Sequence, residues 1–254
     1  AEALKIAGEM PDIETCVQRN IYWVLTGEDR LSHLRERISD DLRALTWDIW
    51  AYETHAELPP EEKRELEELY QTIDRMVKEK FPGMRPMACA NLPYYITSPI
   101  LTALLEAECF DSVTVMVQKE VALRIAAKPG TADYSAFTVF CQFYAQPEIL
   151  FDVPAHCFLP QPKVTSAVIQ LKVRENRPWD IADPDIFFRC VKASFAMRRK
   201  KLSNGLASGF PELGKTGAAE VIEAAGFDAN VRGETLSIPD FVKIANEIVR
   251  RRER

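Results

Sequence analysis

Hydrophobic positions change their spacing along this chain. Between residues 29 and 56, Leu31, Leu34, Ile38, Leu42, Leu45 and Ile49 recur at intervals of three or four. That spacing lines one face of a long helix. Pro59-Pro60 then lead into an acidic turn, and Leu66, Leu69, Ile73, Met76 and Val77 form a second stripe. Lys78 and Lys80 suit the end of that helix, and Pro82-Gly83 stops it. Residues 1–81 are therefore expected to be almost entirely helical, with a helical hairpin at 29–81.

After Gly83 the runs shorten. "MRPMACANL" and "SVTVMVQ" (112–118) read as strands, separated by the helix-like "SPILTALLEAE". "KEVALRIAAKPG" is a further helix closed by Pro129-Gly130, and the ambiguous "SAFTVFCQFYAQ" is taken as helix. That choice returns the chain so that "EILFDVP" (148–154) can pair, and "SAVIQLKV" (166–173) alternates as a strand should. Strands alternating with helices imply an open α/β sheet. Beyond "RENRPWDIADP", Asp183 can cap a helix with Pro184 in its first turn. Helices are then expected at 184–197, 199–208, 215–225 with Gly226 as cap, and 239–251.

Composition narrows the class. The 254 residues are 47% apolar, enough for a sizeable core, and no apolar run reaches the roughly 18 residues of a membrane span. The first residues, "AEALKIAGEMPDIE", carry acids and no signal-peptide core. A cytoplasmic protein is expected, with a start read as processed or incomplete because the first residue is Ala. Six cysteines (16, 89, 109, 141, 157, 190) contain no C-x-x-C pair and read as reduced core residues. The three histidines lack metal-ligand spacing, so no metal site is expected.

Charge is uneven. Residues 1–84 hold 11 Lys/Arg against 19 Asp/Glu, a net of −8, and residues 85–254 hold 21 against 19, a net of +2. "RCVKASFAMRRKK" (189–201) carries six cations and no acid, and the chain ends "RRRER". Such runs meet a polyanion or simply face water, and on charge alone the second reading is the more economical.

Residues 91–99, "NLPYYITSP", follow a strand-like run. Ligands of open α/β sheets bind beyond the carboxyl ends of strands. Asn91 offers an acceptor and a donor there, the Pro93 carbonyl a second acceptor, and Tyr94 a flat face. Two acceptors beside an aromatic plane fit the exocyclic amine of an adenine swung out of its stack. A plain strand-to-helix turn with tyrosines in the core stands beside that reading. In "FLPQPKVTS" (158–166) the alternating prolines hold an extended arm. Phe158 could then cover the second face of a base stacked on Tyr94, or the arm is a simple connector.

These stretches, with "VMVQKEVALRIAAKPGTADYSAFTVF", "FAMRRKKLSN" and "RGETLSIPDFVKIAN", resemble the ribosomal RNA small-subunit adenine dimethyltransferases, the KsgA family, whose cousins are the Erm methyltransferases. The resemblance covers about residues 81–254. It implies a partial Rossmann-like methyltransferase sheet, with an α/β core at 83–177 and a helical C-terminal rRNA-binding domain at 178–254, while the helical segment read from periodicity at 1–82 replaces the family's usual SAM-binding half. It also implies a monomer away from membranes, S-adenosylmethionine (SAM) as donor, and two adjacent adenines of small-subunit rRNA, in the 30S precursor, as substrate. By resemblance, Asn91 and the Pro93 carbonyl hold the adenine N6 amine for attack on the SAM methyl, and Asn91 also lies near the cofactor. Tyr94 and Phe158 sandwich the ring. Arg198, Arg199, Lys200 and Lys201 meet rRNA phosphates, with Lys163 and Arg124 as further candidates.

The family's opening E-x-G-x-G turn, which cradles the donor, has no counterpart: before Asn91 the glycines at 8, 27 and 83 are isolated. Two classes therefore stay open, an rRNA adenine dimethyltransferase and an RNA- or ribosome-binding relative or chimera without a donor site.

Overall fold

The strand expected at 166–173 forms over those residues, and its alternation shows why. In the computed structural model, which describes residues 79, 86–92, 97–159 and 161–252, Ala167, Ile169 and Leu171 are fully buried while Val168 and Gln170 are half-buried. The expected hairpin at 29–81 lies outside the described residues apart from Glu79, as do Pro93 and Tyr94.

Four strands make one sheet: β1 (Met87–Asn91), β2 (Ser112–Gln118), β3 (Ala145–Val153) and β4 (Ser166–Val173), in the order β1-β2-β4-β3. β1 and β2 are parallel and joined through α1 (Thr97–Glu106), which packs on β2, whereas β4 runs antiparallel to β2. The register aligns Ala88 with Val113 and Val113 with Leu171, then Ala90 with Val115 and Val115 with Ile169. Each of these residues is at most 9% exposed, so they fill one face of the sheet. Leu101, Leu104 and Leu105 of α1 are buried too, at the three- and four-residue spacing of a helix stripe.

The remaining helices are α2 (Lys119–Ile125), α3 (Ala136–Tyr144), α4 (Pro184–Ala196), α5 (Leu202–Gly209), α6 (Gly214–Ala224) and α7 (Ile238–Arg252). Asp183 caps α4 as expected, its carboxylate accepting from the Asp185 and Ile186 amides, with Pro184 in the first turn. Gly226 follows α6 at φ +90°, the left-handed geometry that terminates helices. The described residues fall into two compact units, one of those up to Ala122 with those of 148–173, and one of 123–147 with 174–252. Within the second, Phe143 stacks on Phe187 and Trp179, with ring centres 5.1 and 5.6 Å away, and the Arg177 guanidinium lies 4.7 Å from the Phe143 ring.

The cysteines divide. Cys141 and Cys190 are core residues, Cys89 and Cys109 are half-buried, and Cys157 is exposed. The expectation of buried thiols fails at Cys157 because it lies in a short 3-10 turn (Ala155–Cys157) without a buried residue. Among the described residues no helix is long and apolar enough to cross a membrane.

Candidate active site and nucleic-acid interface

Asn91 is the last residue of β1, and the ladder runs one step past it, the Leu92 amide donating to the Met116 carbonyl at 3.1 Å. Ala90 faces the buried side, so Asn91 projects from the opposite face, in register with Met116 and, across β2, Val168. It is half-buried, and its side-chain amide has no hydrogen-bond partner among the described residues. Such an amide at the carboxyl end of a parallel pair can accept from one ligand group and donate to another.

The proline arm reaches the same end of the sheet. Gln118 at the end of β2 aligns with Ser166 at the start of β4, and the Lys119 amide donates to the Thr165 carbonyl at 3.0 Å. Lys119 also ties this end to β3 through its Nζ, 2.6 Å from Asp152 Oδ2. Phe158 closes the 3-10 turn with extended backbone, φ −118° and ψ 148°, and is half-buried. Beyond it Leu159 is 99% exposed, and Lys163 is exposed. The structure thus brings Asn91 and the Phe158 arm to one sheet end, with Pro93 and Tyr94 outside the described residues.

In the second unit the basic run forms the turn between α4 and α5. The Lys200 amide donates to the Met197 carbonyl at 2.8 Å, and the Leu202 amide to the Val231 carbonyl at 2.8 Å. Arg199, Lys200 and Lys201 are exposed. Arg198 differs from these three: its Nε donates to Glu234 Oε2 at 2.8 Å and its Nη2 to the Thr131 carbonyl at 3.0 Å. No spacing signal marks Glu234 as its partner, 36 residues away. Arg124, in α2, is half-buried, and its carbonyl accepts from the Thr138 hydroxyl at 2.7 Å. Among the described residues no group of three His, Cys, Asp or Glu could hold a metal ion.

A mixed sheet with Asn91 at the end of its parallel pair, and a helical unit that carries an exposed cationic turn, define an α/β protein. Comparison with known proteins agrees. Residues 52–249 match the ribosomal RNA adenine dimethylase family, and the chain belongs to that family. It is 43% identical over 180 residues to the ribosomal RNA small subunit methyltransferase A of Alkaliphilus oremlandii, covering 70% of this chain and 63% of that protein. Its counterpart in Clostridioides difficile is 47% identical over 177 residues, with 69% and 61% covered. In Geobacillus thermodenitrificans the figures are 39% over 214 residues, 83% and 67%. The chain thus spans less than two thirds of the length of the first two. A crystal structure of a dimethyladenosine transferase from Plasmodium falciparum shares the fold, with a TM-score of 0.58 at 20% identity over 72% of this chain and 79% of that one.

Proposed function

We propose that the chain serves rRNA adenine N6,N6-dimethylation, receiving adjacent adenines of small-subunit rRNA during ribosome assembly in the cytoplasm. The observation that carries this reading is Asn91 at the end of β1, its amide unpartnered among the described residues, on the same sheet end as the Phe158 arm. Its carbonyl oxygen would accept from the adenine N6 amine, with the Pro93 carbonyl as second acceptor. Those bonds hold the nitrogen lone pair toward the methyl donor, so the contribution is orientation and electrostatics. Tyr94 and Phe158 would stack on the two faces of the ring, about 1–3 kcal/mol per base, offsetting much of the cost of unstacking it. Arg199, Lys200 and Lys201 would meet phosphates, with Lys163 and Arg124 as lesser contacts. Arg198, already paired with Glu234, would serve differently.

SAM is the donor this reading requires, supplying an already activated methyl group. The described residues do not make a complete site for it. Of the residues named, only Asn91 would touch it, and no glycine-rich turn precedes β1 in the sequence. The part assigned to the chain's own side chains is therefore confined to holding and orienting the adenine.

Two measurements test the reading. Calorimetric titration of the folded chain with SAM comes first, and micromolar binding is the expected result. Methyl transfer to undermethylated small subunits follows, where Asn91→Ala should lose activity by about a hundredfold or more, about 3 kcal/mol of transition-state stabilisation, with an unchanged melting temperature. Equal turnover by the variant would remove Asn91 from the chemistry. No SAM binding at millimolar concentration would leave a base pocket without a donor, in an RNA-binding relative.

A further inference from the structure

Arg198 stands in a cationic run, yet its guanidinium is already engaged. Nε meets the Glu234 carboxylate at 2.8 Å and Nη2 the Thr131 carbonyl at 3.0 Å, with the two charged side chains 37% and 23% exposed. The same stretch around Glu234 is fastened elsewhere. The Glu234 carbonyl accepts from the Gly130 amide at 2.7 Å, and the Leu236 carbonyl accepts from the buried Tyr134 hydroxyl at 2.8 Å. Gly130 sits at φ +81°, which lets the 128–133 loop turn its amide onto that strand of chain. Gly233 fits against Ser194 of α4 so closely that a Cβ there would lie 2.7 Å from the Ser194 Cβ.

Three segments far apart in sequence are therefore held together within one unit: the exposed 128–133 loop, the 197–201 turn and the Gly233–Thr235 turn. Arg198 bonds both of the other two through a single guanidinium. Around it, Lys128, Arg199, Lys200 and Lys201 are exposed, as is Arg232, which reaches the same carboxylate. The two Arg198 bonds use two of the five N–H donors of the guanidinium, but turning the whole group toward a phosphate would break a charge-assisted pair. Glu234 is shared, its Oε1 lying 3.7 Å from Arg232 Nη1, and the closer Arg198 is the arginine whose charge it offsets most, which lowers that residue's part in counterion release.

We infer that Arg198 and Glu234 are positioning residues, a latch that fixes the Arg199–Lys201 turn against the 128–133 loop so that their cations meet RNA phosphates as one preformed surface. This rests on the RNA-binding reading above. Preorganisation is the physical gain: a turn already held in place loses less freedom on binding than a loose one.

The test is binding of the full chain to a labelled small-subunit rRNA fragment that includes the adjacent adenines, measured across a salt series. Four variants are needed: Arg198→Gln, Glu234→Gln, the double variant, and the neutralised turn Arg199→Gln/Lys200→Gln/Lys201→Gln. The latch predicts that each single variant loses about fivefold or more in affinity and that the double variant is no worse than either. Hydrogen exchange of the Gly130 amide should quicken in both single variants. A tighter complex and a steeper salt slope for Glu234→Gln would overturn the latch, since the acid would then be restraining a phosphate contact: Arg198 if the double variant loses the gain, Arg232 if it keeps it. Unchanged affinity in both single variants, with a clear loss for the neutralised turn, would also overturn it while leaving RNA binding intact. An unaltered salt slope for the neutralised turn would instead reject the RNA-binding reading of that turn. Should Arg198→Gln fail to fold, the isosteric Glu234→Gln carries the same decision.

Discussion

At the scale of single residues, the glycines of the helical unit separate packing from propensity. A Cβ on Gly205 would lie 2.4 Å from the Ala193 carbonyl oxygen, a backbone atom that cannot step aside, and one on Gly209 would lie 2.4 Å from the Ala193 Cβ. These two glycines let α5 sit directly on α4 and so set where the basic turn emerges. Gly205→Ala should therefore destabilise by about 1–3 kcal/mol, the usual range for overpacking. Gly217, inside α6, has nothing nearer than 3.5 Å, and its neighbours include the far end of the Arg251 side chain. Gly217→Ala should stabilise by about 0.5–1 kcal/mol, since a helical glycine costs roughly that much relative to alanine. Thermal melts of the two variants should move in opposite directions, and shifts of the same sign would refute this account of the α4–α5 contact. Nothing in the spacing of Gly205 and Gly209 separates them from Gly217 in the sequence, because the distinction lies in Ala193, on another helix.

At the scale of elements, legibility follows how local the cause is. β4 and the Asp183-Pro184 start of α4 are readable because alternation and capping act within a few residues. The α3–β3 boundary is harder. "AFTVFCQFY" is aromatic and β-branched, and no Gly or Pro separates Tyr144 from Ala145, where the strand begins. What makes α3 a helix is a reciprocal cap: Ser135 Oγ accepts from the Thr138 amide at 3.3 Å, and Thr138 Oγ1 accepts from the Ser135 amide at 3.0 Å. Thr in place of the usual Glu or Gln hides this capping box from a pattern reading. The Thr138 hydroxyl also donates to the Arg124 carbonyl at 2.7 Å from a fully buried position. Ser135→Ala should then cost about 1 kcal/mol, as an ordinary cap loss. Thr138→Val keeps the shape but removes the hydroxyl from a buried site and should cost more, about 1–3 kcal/mol. Denaturant melts that ranked Ser135→Ala as the worse variant would show that the link to Arg124 contributes nothing.

At the scale of the whole molecule, two basic runs that look alike in sequence have different partners. The C-terminal arginines are spent on acids: Arg250 pairs with Glu247 at 3.3 Å, Arg251 with Glu220, and Arg252 with Glu212. Arg199, Lys200 and Lys201 face solvent instead. Candidate RNA cations thus cannot be selected from charge runs alone, because pairing is decided by helices distant in sequence. Neutralising residues 199–201 should flatten the salt dependence of RNA binding by about 0.7–0.9 for each phosphate left without its cation. Arg252→Ala should leave that slope alone and act on stability. The hydrogen bond from Arg252, with smaller help from a backbone bond, holds the Glu212 carboxyl below its ordinary value of 4.5. A depressed carboxylate contributes stability above its unfolded-state pKa and loses it as pH falls through the folded one. The melting-temperature gap between the parent chain and Arg252→Ala should accordingly be open at pH 7 and narrow as pH drops below about 4.5. The clamp is solvent-exposed, so the gap should be small even at neutral pH. A gap that stayed constant well into the acid range would mean that Arg252 acts through its guanidinium on the Phe210 ring, 5.6 Å away, and not through the acid.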